Sequence, residues 1–269
     1  MTDPPALRRS FRLVCNPGQI PSVEALLSAQ GFVFEPEPFS PLARRLLQEP
    51  FPLGRSLAAF WGYVYIQDRS SMLPPLALAP GEGARVLDMC ASPGSKTGLL
   101  AQLVGREGLV LGNEPARPRL ANLRRNLAAL NLLQAVTCSW PGESLPLPDA
   151  SVDCITMAFG IRNILPREAA FAEMLRVLRP GGRACILEFG SGQERIWGGL
   201  YNFYLNQILP RVGRMFSKDP AAYGYLADTI RAFPTARKLE EEMLRAGFAR
   251  AWHLKLTSGI VCLHVGEKA

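Results

Sequence analysis

The chain holds only two histidines, His253 and His264, and its six cysteines lie far apart with no paired spacing. Both facts argue against a metal site and against a disulfide framework. No apolar run reaches the roughly 18 residues that span a bilayer, and the opening "MTDPPALRRSFRLV" lacks the long hydrophobic segment of a secretory signal. The expectation is a cytoplasmic protein. Low-complexity tracts are absent too, and with 48% hydrophobic and 20% charged residues the composition excludes a disordered or fibrous chain. Also missing is a dense basic run. The net charge of +7 is spread thinly, with 14 Lys and Arg against 12 Asp and Glu up to residue 150 and 16 against 11 after it. Charge alone therefore selects no partner.

What is present falls into two patterns. Residues 1–60 hold a strand-like "SFRLVCN", a helix-like "SVEALLSAQGF" stopped by Gly31, and the proline-punctuated "FEPEPFSPL" and "QEPFPLG". This predicts a small α+β appendage. From residue 84 onward, apolar strands alternate with helical stretches: "ARVLDM", "GLVLGNE", "AVTCSW", "VDCITMAF" and "RACILEF". Strands buried on both faces and joined by helices imply a doubly wound parallel α/β sheet over residues 61–269. The last segments, "ARAWHLKLTSG" and "IVCLHVGEK", predict a hairpin turning at Ser258-Gly259 that adds an antiparallel edge.

In "VLDMCASPGSKTGLLAQL" a strand leads through a loop of small residues into a helix. Such a loop lets a cofactor approach backbone amides at a helix N-terminus. Cys90, Ala91, Ser92, Pro93 and Gly94 are small enough for that approach. About 20 residues further on, where an acidic side chain commonly binds ribose hydroxyls, stands Glu114. The loop is not GxGxxG, and Lys96 offers an ammonium to a carboxylate rather than a diphosphate cradle. S-adenosylmethionine fits better than a dinucleotide.

With "GYVYIQDRSSMLPPLAL", "VLDMCASPGSKT", "LGNEPARPRLANLRRNL" and "TCSWPGESLPLPD", residues 10–150 resemble the Sun/Nop family of RNA cytosine-5 methyltransferases. The resemblance implies that Cys90 through Lys96 hold the methionine part of the cofactor and Glu114 its ribose. It also implies that residues 1–60 are a shortened RNA-binding appendage. That family adds a cysteine thiolate to cytosine C6, from an Asp-Pro-Pro-Cys or Asp-Ala-Pro-Cys loop after the fourth strand. Here Ala158, Phe159, Gly160 and Ile161 occupy those places. Cys154 lies inside the strand as a small core residue and Cys138 comes one strand too early, so neither is the nucleophile.

From Asp153 on, "DCITMAFGIRNI", "MLRVLRPGGRACILEFG", "YLADTIRAFP" and "GFARAWHLKLTSGIVCLHVG" resemble the UbiE-type C-methyltransferases of ubiquinone and menaquinone biosynthesis. The chain thus reads as a chimera that changes family between Pro148 and Asp153. Together the resemblances imply a Rossmann-like class I methyltransferase fold, a mostly parallel seven-stranded sheet with an antiparallel last strand. The second implies that Arg162 and Asn163 orient and polarise the oxygens of a small-molecule quinol. The resemblance further implies that Glu143 and Ala158 belong to the cofactor-binding set, with backbone groups and Trp140 at the adenine, and that Tyr63 or Tyr65 takes the place of that family's missing N-terminal aromatic. Arg162 paired with a carboxylate and Asn163 as a helix cap are the competing structural readings. "RVLRPGG" reads as a helix end and turn. The aromatic "WGGLYNFYLNQILPRVGRMF" reads as a buried helix, a lid, or a peripheral membrane contact.

The favoured expectation is C-methylation of a demethylated ubiquinone or menaquinone precursor. An RNA cytosine-5 methyltransferase, with residual RNA binding through the N-terminal region, and a non-catalytic hybrid are the alternatives.

Overall fold

The structure, a computed structural model, describes residues 9–190, 228–256 and 259–269. A small four-stranded sheet comes first, from β1 (Ser10–Leu13), β2 (Val33–Glu37), β3 (Ser40–Gln48) and β4 (Val64–Ile66), in the order β2-β3-β1-β4. Three helices accompany it: α1 (Ile20–Ala29), α2 (Leu57–Phe60) and α3 (Arg69–Leu78). Period-two alternation along β1 sends Phe11 and Leu13 into a core with Val23, Leu27 and Phe32, and Ser10 and Arg12 to the other face. The proline-punctuated stretch forms the β2–β3 hairpin. Pro36 is tolerated because β2 is an edge strand, where a missing N–H breaks no inner ladder. The small sheet takes in β4 and so extends past residue 60.

The main chain path then alternates: β5 (Arg85–Asp88), α4 (Ser95–Val104), β6 (Leu109–Asn113), α5 (Arg117–Ala129), β7 (Ala135–Cys138), β8 (Val152–Ala158), α6 (Arg167–Val177), β9 (Leu178–Phe189), α7 (Ala236–Ala246), β10 (Arg250–Leu256) and β11 (Val261–Glu267). The seven strands take the order β10-β11-β9-β8-β5-β6-β7. β5 pairs parallel with β8, β8 with β9, and β6 with β7, whereas β11 runs antiparallel to both neighbours. The expected sheet, antiparallel last strand included, is therefore present.

The chain divides into two compact units. One comprises residues up to Ala84 with Ala91–Ser139, the other Arg85–Cys90 with Trp140–Ala269. In the first, α5 buries Leu120, Leu123 and Leu127 against Ala91. In the second, β8 and β9 are nearly continuous apolar runs, with Ile155, Met157, Ala184, Cys185, Ile186 and Leu187 buried. "RPGG" differs from the expected turn between elements: α6 stops at Val177, β9 begins at Leu178, and residues 179–182 bulge out where the pairing jumps from Val152–Leu178 to Cys154–Arg183. Asp153 secures the bulge. Its carboxylate meets Arg179 at 2.7 Å and accepts the Arg85 N–H at 2.6 Å.

Candidate active site

Within the first unit, the loop entering α4 is held close to the end of β6. The Ala91 N–H donates to the Asn113 carbonyl at 3.0 Å, and the Gly94 N–H to the Ala91 carbonyl at 2.7 Å. Gly94 has φ +109°, and an added Cβ would lie 3.1 Å from the Leu123 side chain, so both conformation and space call for glycine. Ser92 and Pro93 are tied to α5 by Ser92 Oγ donating to the Arg119 carbonyl and Asn126 Nδ2 donating to the Pro93 carbonyl. Ser95 is half-buried, and Lys96 is buried in the first turn of α4. Glu114 follows β6 directly and is buried. Its carboxylate accepts the Ala116 N–H at 3.1 Å and pairs with Arg119 at 3.2 Å. Arg119, five residues further along the chain, is brought to Glu114 by the first turn of α5.

These residues suit a carboxylate-bearing nucleoside cofactor. The loop is free of bulky side chains, a Cβ is barred at Gly94, and an ammonium and a carboxylate stand at its two sides.

Within the second unit, β8 ends at Ala158 and the chain turns at Phe159, a non-glycine residue at φ +55°. A Cβ on Gly160 would overlap the Cys90 Sγ, so half-buried Cys90 packs directly on the exit of β8. A 3-10 turn over Ile161–Asn163 then carries Arg162 toward the end of β9. Arg162 Nη1 donates to Glu188 Oε1 at 2.5 Å, and its guanidinium lies 5.5 Å from the centre of the Phe189 ring. Glu188 is fully buried, and its Oε1 also accepts the Phe189 N–H at 2.9 Å. Burial pushes the Glu188 carboxyl up, opposed by the Arg162 charge. The pairing of Arg162 with a carboxylate is thus realised, and the partner comes from the next strand.

Asn163 is exposed and donates its N–H to the Gly160 carbonyl at 3.0 Å. It is not the cap of α6, whose N-cap position is Pro166. Glu143 is exposed, Ala158 and Trp140 half-buried. Tyr63 packs against the small-sheet core and the Tyr65 ring lies 5.7 Å from the Arg12 guanidinium, so both are occupied within the appendage. Burial pushes the Cys138 thiol up to about 12 and that of Cys154 upward as well, which disfavours a thiolate at either. Residues 197–216 and Ser258 lie outside the described residues.

A mostly parallel sheet of this order, with a glycine turn after its first strand and a carboxylate after its second, is a Rossmann-like fold, and the chain's family match makes it an S-adenosylmethionine-dependent methyltransferase. A structure of a methyltransferase homolog from Pyrococcus horikoshii has the same fold, with a TM-score of 0.65 at 21% identity, covering 98% of this chain and 87% of that one. A SAM-dependent methyltransferase from Aquifex aeolicus aligns with a TM-score of 0.54 at 19% identity, covering 74% of this chain and 93% of that one. The profile of the ubiE/COQ5 methyltransferase family matches residues 76–268, and the chain belongs to that family. The UbiE ubiquinone/menaquinone biosynthesis C-methyltransferase of Xylella fastidiosa strain M23 is 42% identical over an alignment of 193 residues, covering 69% of this chain and 74% of that protein. That of Teredinibacter turnerae is 39% identical over 188 residues, covering 70% and 76%. The matched range begins well before Asp153. It includes the small-residue loop, Glu114 and the 148–153 stretch.

Proposed function

We propose that this methyltransferase methylates a ring carbon of a demethylated prenyl quinol, acting in the cytoplasm. The observation carrying this reading is the turn after β8: Arg162 is clamped between Glu188 and Phe189, and residues 158–163 contain no thiol. A cytosine is too weak a carbon nucleophile to be methylated without thiolate addition, whereas a quinol becomes one on losing a hydroxyl proton. S-adenosylmethionine supplies an electrophilic methyl on a sulfonium. The chain's own residues do the rest. Ala91–Gly94 would give that cofactor a close backbone approach, Lys96 would neutralise its carboxylate, and Glu114 would accept from its ribose. Arg162, fixed by Glu188, would stabilise the quinol oxygen as its proton passes to water, and Asn163 would orient it. After the methyl moves from the sulfonium to the ring carbon, leaving the thioether, that carbon's hydrogen is lost to water and the ring regains its aromaticity.

The name of the related UbiE proteins as C-methyltransferases of quinone biosynthesis supports this substrate class. Labelled S-adenosylmethionine offered with demethylmenaquinol in one arm and ribosomal RNA in another tests it. Label in the quinol ring is expected; label in RNA alone would overturn it.

A composite origin is supported by the small sheet. Residues 9–75 lie outside the family match, while the Pyrococcus fold covers 98% of the chain. We read this part as an appendage of Sun/Nop type; the change of family expected between Pro148 and Asp153 lies inside the 76–268 match, which crosses it.

A further inference from the structure

In the first unit the arginines of the small sheet are largely neutralised: Arg9 pairs with Glu49, Arg44 with Glu24, Arg45 with Glu35 and Arg69 with Glu37. Two other stretches differ. Residues 50–67 and 115–142 together carry five arginines and no Asp or Glu. Among the described residues, Arg55, Arg117, Arg124 and Arg125 have no carboxylate in ion-pair range, and all are exposed. Arg125 bonds only to Asn122 and Arg124 to Thr137.

The same two stretches meet at an apolar ridge. Phe60 is 77% and Trp61 61% exposed, at the end of α2, and Leu57 on that helix is 48% exposed. Gly62 seats the ridge against α5: a Cβ there would overlap the Ala129 carbonyl oxygen and lie 3.3 Å from the Asn131 amide. Two residues past Asn131, Leu133 is 92% exposed. Arg125 precedes Ala129 by four residues and so shares its flank of α5, while Arg55 directly precedes the Ser56 cap of α2. Large exposed apolar side chains in a cluster mark an interaction surface. Bulky aromatic and aliphatic side chains flanked by unneutralised arginines have the composition of a bilayer-interface contact.

We propose that the ridge of Leu57, Phe60, Trp61 and Leu133 docks this protein on an anionic lipid bilayer, with Arg55 and Arg125 meeting headgroup phosphates. The surface favours lipid over single-stranded nucleic acid. Leu57 and Leu133 have no ring on which a base could stack, and Phe60 and Trp61 pack edge to face at 86°, each shielding the other rather than offering parallel open faces. The inference is independent of which ring is methylated.

The test is co-sedimentation with vesicles of phosphatidylcholine, with and without phosphatidylglycerol, at low and high salt. Partition into the anionic vesicles is expected, weakening with salt. F60S/W61S should lower it about tenfold or more, and R55A/R125A should lower it roughly tenfold on anionic vesicles alone. All three proteins should share one melting temperature and one turnover on a short-chain, water-soluble quinol, which separates this surface from the catalytic reading. Absence of partition by the unsubstituted protein, or equal partition by F60S/W61S, would overturn the proposal. So would a ridge variant that keeps vesicle binding but loses single-stranded RNA.

Discussion

The Arg162 guanidinium and the Glu188 carboxylate meet at 2.5 Å across the ends of neighbouring parallel strands, one side chain 11% exposed and the other fully buried. The pair leaves Arg162 with one edge on the carboxylate and one face over Phe189, a held cation rather than a swinging one.

Replacing Arg162 with Ala should abolish methyl transfer while S-adenosylmethionine affinity, read by calorimetry, stays nearly unchanged. Glu188→Gln keeps the shape but removes the charge that holds Arg162. It should lower kcat more than it alters cofactor Kd and shift the pH profile of kcat. A fully active Arg162→Ala enzyme would dismiss the role.

Glu114→Ala should weaken cofactor binding about 10- to 100-fold, the worth of a hydrogen bond to a charged group. Arg119→Ala removes an exposed partner of that carboxylate and should cost much less. Calorimetric titration of both variants separates these outcomes.

At Gly160 an alanine collides with Cys90, so Gly160→Ala should destabilise the protein by about 1–3 kcal/mol, the usual cost of overpacking. Adding Cys90→Ala removes the colliding sulfur. The double variant should recover much of the loss, and denaturant unfolding of the four proteins would reveal the coupling.

His264 is 1% exposed, and its Nε2–H donates to the Ala236 carbonyl at 3.0 Å; the ring faces His253 and Glu240. Burial lowers it from 6.5 to about 4. Between those values the unfolded chain binds the proton and the folded chain does not. Stability should therefore fall as pH drops from about 6.5 to about 4, by up to roughly 3 kcal/mol. His264→Gln should flatten that part of the curve; an unchanged slope in urea melts would point to other groups.

Much of the architecture was legible in the residues. Apolar runs from 85 to 189 alternating with helical stretches led to a parallel sheet because strands covered on both faces must be apolar throughout. The small-residue loop was read from residue size and Glu114 from its spacing, and the structure places the one at the first turn of α4 and the other at the end of β6. The β2–β3 hairpin was not legible, since Pro36 is compatible with a strand only at an edge, and edges are defined by the whole sheet. Neither was the bulge at 179–182, where Pro180 and the two glycines allow a turn as readily as an interrupted ladder.

The order of residues by itself determined the class of fold, a small-residue loop followed by Glu114, and the absence of a thiol from residues 158–163, because these depend on local pattern and chemical type. Only the tertiary structure decided which groups face one another: Glu188 beneath Arg162, Cys90 against Gly160, and an aromatic ridge beside an arginine helix. Those pairings join residues 26, 70 and roughly 65 positions apart, and contact over such separations is set by how the strands and helices stack, which no short window of sequence records.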